Sequence, residues 1–214
     1  MTMNDKIGER AGATRPRARF VREAADVRRQ ALIDATARCL AEKGVGGTSV
    51  RAICARAGVS SGLLTHYFDG VDALILATYA DVGARVSAAL DAAIEAAGDD
   101  PRDRLRACLQ ANFREPILDP DLLATWIAFW SLVKSDPQIA AVHADVYGGT
   151  RAQMEALLQA AAPSLSPSQT RIAAISLTAL VDGLWLELCL DRSTFSPEEA
   201  QAMVEDAMLK VLQI

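Results

Sequence analysis

Residues 50–68 read VRAICARAGVSSGLLTHYF, and this stretch decides the fold. Gly58 divides it into two short segments, and a glycine can take the left-handed backbone conformation that a tight turn needs. Thr48 or Ser49 can cap the first segment and Ser60 the second, because their side chains accept from the free N–H groups of a first helical turn. Two short helices joined by a glycine predict a helix-turn-helix, whose second helix can enter a DNA major groove.

A longer helical pattern precedes this motif. From Glu23 to Lys43 apolar residues recur at helical spacing, and Gly44 follows as a glycine does after the last turn of a helix. Ala55 is small enough for the two helices of the motif to cross closely. Residues 23–70 therefore predict a three-helix head.

The rest of the chain has the pattern of a helical body. A long helix is predicted over 71–97, and Gly-Asp-Asp-Pro at 98–101 ends it. Five more helices, each opened by a Pro or a capping Ser or Asp nearby, are predicted over 101–115, 120–134, 137–161, 168–191 and 197–213. The chain is thus predicted to be all-α with about nine helices, a head at 23–70 and a body at 71–214.

Charge is distributed unevenly along the chain. The formal net charge of −5 alone argues against nucleic acid, but residues 1–70 carry 12 Lys and Arg against 7 Asp and Glu, whereas residues 71–214 carry 10 against 20. A basic head suits phosphate binding by one end of the molecule, although a solvated basic tail without a partner would have the same composition. Residues 1–22 contain five arginines and lack apolar periodicity, which predicts a disordered basic arm, either along DNA or free.

Cysteine and hydropathy patterns indicate a cytoplasmic protein. The four cysteines are far apart, fall on apolar helical faces and are predicted to be reduced core residues: Cys39, Cys54, Cys108 and Cys189. We expect no membrane span, because no run of about 18 apolar residues occurs, and no signal peptide, because charges stand near the N-terminus.

Enzyme motifs are not found in this sequence. The two histidines, His66 and His143, belong to no E-x-x-H pair, so a di-iron carboxylate bundle lacks its ligands. Gly-rich phosphate loops, H-E-x-x-H and G-x-S-x-G are also missing, and no catalytic, metal or cofactor site is predicted. The function classes left are a small-molecule-responsive regulator, a regulator with a protein partner and, least favoured, a helical enzyme or carrier.

The body carries all three tryptophans. Trp126, Phe129 and Trp130 share one side of a helix, and Asp182 and Trp185 share a face of a later one. An acid among aromatic faces suits a quaternary or bulky ammonium, yet an aromatic stripe is also typical of a packed core, and Asp182 is either a ligand anchor or a structural acceptor. The candidate pocket residues are Asn112, Trp126, Phe129, Trp130, Tyr147, Asp182 and Trp185.

The last two predicted helices carry apolar stripes that predict a dimer interface. The stripe residues are Ile172, Ile175 and Ala179 on one helix and Met203, Ala207 and Val211 on the other. These stripes do not exclude a higher assembly.

At residues 53–68 the sequence resembles the TetR family of regulators, whose motif I-x-x-x-A-G-V-S-x-G-x-x-x-x-Y-F it matches without a gap. The resemblance implies a DNA-binding head, a ligand-binding body, a homodimer built on the last two helices and repression released by a small molecule. By motif position it implies phosphate contacts by Ser49, Ser60, Thr65, His66 and Tyr67, and groove contacts by Arg51, Ser61 and Gly62. Leu64 also lies toward the groove, but Leu64 and Phe68 are large and apolar, so we expect them in the head core.

The chain departs from this family's pattern just after the motif. Many members place a Lys shortly after Tyr-Phe, where it meets a phosphate, whereas residues 69–72 here read DGVD. This departure predicts weaker phosphate binding at that end, for which the arginine-rich arm would compensate if it lies on DNA.

Two stretches of the body, WIAFW at 126–130 and VDGLWL at 181–186, resemble those of choline-responsive repressors within this family, as does the head segment 59–68. The resemblance implies a choline-like inducer and control of glycine-betaine synthesis, but related regulators share much of the pattern and sense other amines or metabolites. In the expected mechanism, the helix over 71–97 sets the separation of two recognition helices, which DNA selects at about 34–36 Å.

Overall fold

A computed structural model describes residues 16–212, with side chains described from residue 25 onward. Over this range the chain forms nine helices and no strand, which confirms the predicted all-α fold. The helices are α1 (Pro16–Gly47), α2 (Val50–Ala57), α3 (Ser61–Tyr67), α4 (Gly70–Ala96), α5 (Pro101–Ala111), α6 (Pro120–Leu132), α7 (Pro137–Ala161), α8 (Pro167–Leu190) and α9 (Pro197–Val211).

Helix α1 starts earlier than the sequence pattern predicted. It begins at Pro16 rather than Glu23, so the prediction of a disordered arm was wrong for residues 16–22. A proline suits a first helical position, and the Arg and Ala residues that follow favour helix even without an apolar stripe. Residues 1–15 lie outside the described part of the chain. At the other end Gly44 has φ 63° and ψ −173°, which interrupts the helix where predicted.

The five helices α5 to α9 start where the sequence placed them because each combines a cap with a proline. A capping Asp or Ser accepts from backbone N–H groups of the first turn, and a Pro follows it directly. The ends are less well marked. Helix α5 stops at Ala111 instead of residue 115, with Asn112 as its C-cap.

Two hydrophobic cores interlock across the predicted head–body boundary. The head core contains Leu32, Ile33, Ala35, Cys39, Ile53, Cys54, Leu64, Phe68 and, from α4, Leu74. The body core in turn includes Leu40 of α1 and Ile75 of α4. Because α1 and α4 each contribute to both cores, a displacement of either helix in the body acts on the head.

Polar contacts fasten α1 to the body as well. Arg85 of α4 donates to Asp34 of α1 at 2.9 Å. The Thr125 hydroxyl of α6 donates to the backbone oxygen of Ala37 in α1 at 3.0 Å. Helix α1 is thus held both by the helix that follows the head and by one from the body.

Two helices, α4 and α8, are long and apolar enough by composition to cross a membrane, with mean hydropathies of 1.3 and 1.7 over 18 residues. Neither helix is an uninterrupted run of 18 apolar residues, because Asp72, Asp81 and Arg85 stand in α4 and Asp182 and Glu187 in α8. Both are core helices, α4 packing against α1, α5 and α7 and α8 against α6, α7 and α9, and core helices of this length pass the same test.

The cysteines are free thiols, as predicted. Cys39, Cys54 and Cys108 are buried in the cores, while Cys189 is half-buried.

Candidate DNA-binding surface and ligand cavity

The turn of the predicted helix-turn-helix has the expected geometry. Gly58 lies in the left-handed region at φ 66° and ψ 33° between α2 and α3. The Ser49 side chain, rather than that of Thr48, caps α2 by accepting from the Ala52 N–H at 3.3 Å. Ser60 caps α3 in the same way, accepting from the Leu63 N–H at 3.2 Å.

The structure gathers the predicted DNA contacts on the solvent side of α2 and α3. Seven of the eight are exposed and Tyr67 is half-buried: Ser49, Arg51, Ser60, Ser61, Gly62, Thr65, His66 and Tyr67. Leu64 and Phe68 are buried in the head core, as predicted. Helix α3 therefore turns a face of small and polar side chains outward, which leaves room for close approach to a groove.

Arg51 is the cation best placed for DNA on this surface. It is exposed, and among residues 25–212 it forms no ion pair. Arg56 of the same helix pairs with Glu42, and Arg29 of α1 lies over the Phe68 ring at 5.1 Å from its centroid. These two cations are partly engaged by the head itself.

Two details of the head differ from expectation or from the family pattern. Ala55 is exposed, so the prediction that it lies at the helix crossing was wrong: α2 buries Ile53 and Cys54, and Ala55 lies on the opposite side. At the start of α4, Asp69 is the N-cap and Asp72 stands in the first turn. The position at which the family resemblance implies a phosphate-binding Lys is thus acidic here.

A small cavity lies between helices α4 to α8. Its free volume is about 60 Å³, which is about the space of two water molecules. The side chains and backbone around it come from Gly83, Val86, Ser87, Leu90, Cys108, Asn112, Trp126, Val146, Tyr147, Thr150, Met154, Thr178, Val181, Asp182 and Trp185. Five of the seven predicted pocket residues are among them.

The other two predicted pocket residues, Phe129 and Trp130, do not line this cavity. Phe129 is fully buried and stacks on Tyr79 with ring centroids 4.3 Å apart. Trp130 lies in a separate shallow groove on the outer side of Trp126 and Trp185. Positions three and four residues after Trp126 are displaced to opposite sides of it around the helix, and of the three rings only that of Trp126 lines the cavity.

Asp182 and three aromatic side chains form the polar end of the cavity. The Tyr147 hydroxyl donates to the Asp182 carboxylate at 3.2 Å, and the Trp126 indole N–H donates to the Tyr147 oxygen at 3.3 Å. The Trp126 and Trp185 rings meet edge to face at 6.2 Å. Burial raises the pKa of Asp182 to about 6, although the Tyr147 hydrogen bond opposes that rise. Asp182 is thus a structural acceptor and a cavity wall at once.

The side chains of Asn112 and Trp185, two residues of the cavity wall, both donate hydrogen bonds to backbone carbonyl groups. The Trp185 indole N–H donates to the Asn112 backbone oxygen at 2.8 Å. The Asn112 side-chain amide donates to the Cys108 carbonyl at 2.8 Å, which ties it to the end of α5. Trp185 is therefore held in a fixed orientation.

Sequence reasoning missed Thr178, which lines the cavity one helical turn before Asp182. Its hydroxyl oxygen is buried and has no hydrogen-bond partner among the described residues. The spacing of four residues from Asp182 on one helix is the signal that could have found it.

The predicted interface stripes lie on the surface of α8 and α9. Ile172, Ile175 and Met203 are exposed, and Leu186 and Leu190 extend the stripe toward the end of α8. Ala207 and Val211 are half-buried against the body core.

Two protein families match this chain in consecutive segments. The family described as "Bacterial regulatory proteins, tetR family" matches residues 32–78, and that described as "BetI-type transcriptional repressor, C-terminal" matches residues 101–213. The HTH-type transcriptional regulator BetI of Burkholderia thailandensis is 36% identical over 181 residues, which cover 85% of this chain and 91% of that protein.

Solved structures share the fold over nearly the whole chain. A transcriptional regulator of Pseudomonas aeruginosa PAO1 matches with a TM-score of 0.83 and 41% identity, covering 93% of this chain and 97% of that one. A transcriptional regulator of Saccharomonospora viridis, solved in complex with choline, matches with a TM-score of 0.71 and 18% identity, covering 85% and 95% of the two chains.

Proposed function

Since the chain belongs to the TetR family and has the C-terminal domain of BetI-type transcriptional repressors, we propose that it binds operator DNA as a homodimer that a quaternary ammonium compound releases. Its relatives are named as transcriptional regulators, so the chain is a DNA-binding regulator and not an enzyme. A repressor acts on the chromosome, so we place it in the cytoplasm. Choline is the first inducer to test, and glycine-betaine synthesis is the first pathway to test as the one that the protein controls.

The observation that carries the inducer class is the Asp182 carboxyl enclosed by Trp126, Tyr147 and Trp185. A cation gains from the carboxylate and from each ring face, about 0.5–2 kcal/mol per face. An anion at this end would meet the negative charge of Asp182 in a poorly solvated cavity. A structural neighbour of the same fold that holds choline gives independent support for this choice.

The small volume of the cavity links binding to motion. The cavity measures about 60 Å³, well below the roughly 300–1,000 Å³ of most small-molecule pockets. We therefore expect the entry of choline to move the walls, which belong to α4 and α6 among others. Helix α4 continues directly from the recognition helix α3, and α6 holds α1 through Thr125. We propose that the enlarged cavity selects a separation of the two heads that no longer fits DNA.

The exposed apolar stripe of α8 supports the homodimer. Ile172 and Leu190, 59% and 70% exposed, stand near the two ends of this helix. A surface stripe of this length is unfavourable in water unless a partner covers it, and a second copy presents the same stripe. Helix α9 adds Met203 at its edge.

For the DNA contacts we propose two roles on the surface of α2 and α3. Ser49, Ser60, Thr65, His66 and Tyr67 fix the head on phosphates, whereas Arg51, Ser61 and Gly62 meet the groove. Phosphate contacts orient a protein on the duplex, and base-edge contacts give sequence preference.

The small cavity also favours a second candidate function. A regulator that responds to a protein partner would keep its cavity filled by its own side chains, and this cavity is small, at about 60 Å³. A regulator of another metabolite, with the same DNA surface, is the remaining alternative.

The test is binding of the full-length dimer to DNA from its own promoter region across a salt series, with and without choline. Selective, salt-sensitive binding that choline weakens supports the whole proposal. Selective binding that choline leaves unchanged retains the regulator and removes this inducer. Absence of selective binding at every salt concentration contradicts the proposed function.

A further inference from the structure

Thr178 differs from the other threonines of the helices. Thr36, Thr78, Thr150 and Thr170 each donate their hydroxyl to the carbonyl four residues earlier, at 2.7–3.2 Å. That bond is the usual way in which a helical threonine satisfies its hydroxyl. The Thr178 hydroxyl oxygen is buried, yet it has no hydrogen-bond partner in the described part of the chain.

The position of this hydroxyl relates it to the ligand cavity. Thr178 lines the cavity together with Asp182 and Trp185, which follow it by four and seven residues on α8. These spacings put all three side chains on one helical face, with Thr178 one turn away from the carboxylate. The cavity therefore has an acidic aromatic end and, one turn along, a threonine whose hydroxyl has no hydrogen-bond partner among the described residues.

We propose that Thr178 is a specificity-determining residue that hydrogen-bonds a hydroxyl group of the inducer while Asp182 and its aromatic neighbours hold the cationic group. The ligand class is then an amino alcohol with a quaternary or bulky ammonium. This inference rests on the proposed function and goes beyond it, because it assigns a residue to the uncharged end of the ligand.

The charges around the cavity favour an alcohol over a carboxylate at that end. None of the cavity-lining side chains within residues 16–212 is Lys, Arg or His. The carboxylate of a zwitterion such as glycine betaine would lose water, receive one hydrogen bond from Thr178 and lie one helical turn from Asp182. A neutral hydroxyl loses far less on burial and can both donate to and accept from its partner.

The test compares choline with propyltrimethylammonium, in which a methyl group replaces the hydroxyl. Both dissociation constants are measured by calorimetry on the full-length dimer and on Thr178→Val, which keeps the shape of the side chain and removes its hydroxyl. We expect the wild type to bind choline about tenfold more tightly than propyltrimethylammonium, and Thr178→Val to bind the two equally. Glycine betaine should bind the wild type more weakly than either.

Two control variants separate hydrogen bonding from packing. Thr178→Ser keeps a hydroxyl and should retain the preference for choline. Thr150→Val removes a cavity hydroxyl that already donates to Val146, so the preference should also remain. An unchanged ratio in Thr178→Val while both cations bind overturns this inference alone, and tight binding of glycine betaine overturns the alcohol assignment. If neither cation binds a wild type that still recognises its DNA, the quaternary-ammonium proposal fails as well.

Discussion

The head and the body of this protein place their polar side chains in opposite ways. In the head, Ser49 and Ser60 cap helices at the surface, and their oxygens already accept backbone hydrogen bonds. In the body, Asp182 and Thr178 line a cavity, the first with a raised pKa and the second with a hydroxyl that has no hydrogen-bond partner among the described residues. The head presents its polar groups to the outside, whereas the body holds a carboxyl and a hydroxyl inside.

This difference indicates which interactions drive binding in each region. The polar surface groups of the head remain hydrated in the free protein and therefore destabilise it little. DNA binding then depends on the geometry and charge of these groups. A carboxyl in an apolar cavity destabilises the free body, and a cation that enters removes that cost on binding. Under the proposed function, inducer binding is favoured by relief of an electrostatic penalty that the DNA surface does not have.

The largest effect should follow the loss of the buried charge. Asp182→Asn keeps the size of the side chain but leaves an entering cation without its counter-charge, which costs about 3 kcal/mol or more. We expect choline affinity to fall about 100-fold, measured by calorimetry, with operator affinity unchanged in gel-shift assays.

Glu187→Gln is the matched control for this variant, since Glu187 is an exposed acid on the same helix. It should bind choline as the wild type does. Equal losses in the two variants would mean that overall charge, rather than the cavity carboxylate, attracts the ligand.

Asp182→Asn should also stabilise the free protein at neutral pH. The folded-state pKa of Asp182, about 6, lies above the ordinary value of 3.8, so its stability contribution is complete below about pH 4 and is lost as pH rises through 6. The Asn variant does not titrate. Its free energy of unfolding should exceed that of the wild type by about 3 kcal/mol at pH 7.5 and match it near pH 4.

Urea denaturation at one fixed protein concentration checks this prediction, because the stability of the proposed homodimer would depend on concentration. A constant difference at both pH values would show that the gain comes from packing and not from the carboxylate.

In the head, effects on DNA binding should be smaller and should differ between two residues. Arg51→Ala is expected to weaken operator binding about tenfold and binding to unrelated DNA much less, since a base contact distinguishes sequences. Tyr67→Phe keeps the half-buried ring, removes the hydroxyl and should weaken binding to both DNAs by about the same small factor. Gel shifts on both DNAs measure the two ratios, and a uniform loss in Arg51→Ala would reassign that side chain to phosphates.

The head was predictable from sequence because its signals are local. Gly58 and Ser60 determine their own turn and cap, and the apolar positions at 53, 64 and 68 mark the motif's share of the head core. Helix starts in the body were predictable for the same reason, since each has its own cap and proline.

The cavity was only partly predictable because its walls come from five helices. The tryptophans marked its neighbourhood, yet spacing along α6 could not tell which ring faces inward, and Phe129 and Trp130 face elsewhere. Thr178 has no motif of its own, and only its placement beside Asp182 gives it a role. The start of α1 at Pro16 was missed because helix propensity acts there without an apolar stripe.

The smallest expected effect concerns the contact that joins the two regions. Thr125 precedes Trp126, a cavity wall, and donates to Ala37 in the helix that supports the head. Thr125→Val removes this bond, while the Ala37 carbonyl keeps its own helical hydrogen bond. We expect choline and DNA to bind separately within about twofold of the wild type, but the factor by which saturating choline weakens DNA binding should fall about threefold to fivefold.

Thr36→Val is the control for this variant, because the Thr36 hydroxyl is buried in α1 but bonds only to its own helix, at Leu32. If both variants keep the wild-type coupling factor, the α1–α6 contact carries no signal, and the direct passage from α3 into α4 transmits the change alone. If only Thr125→Val loses coupling, the head is moved from two sides, by α4 below the recognition helix and by α6 through α1.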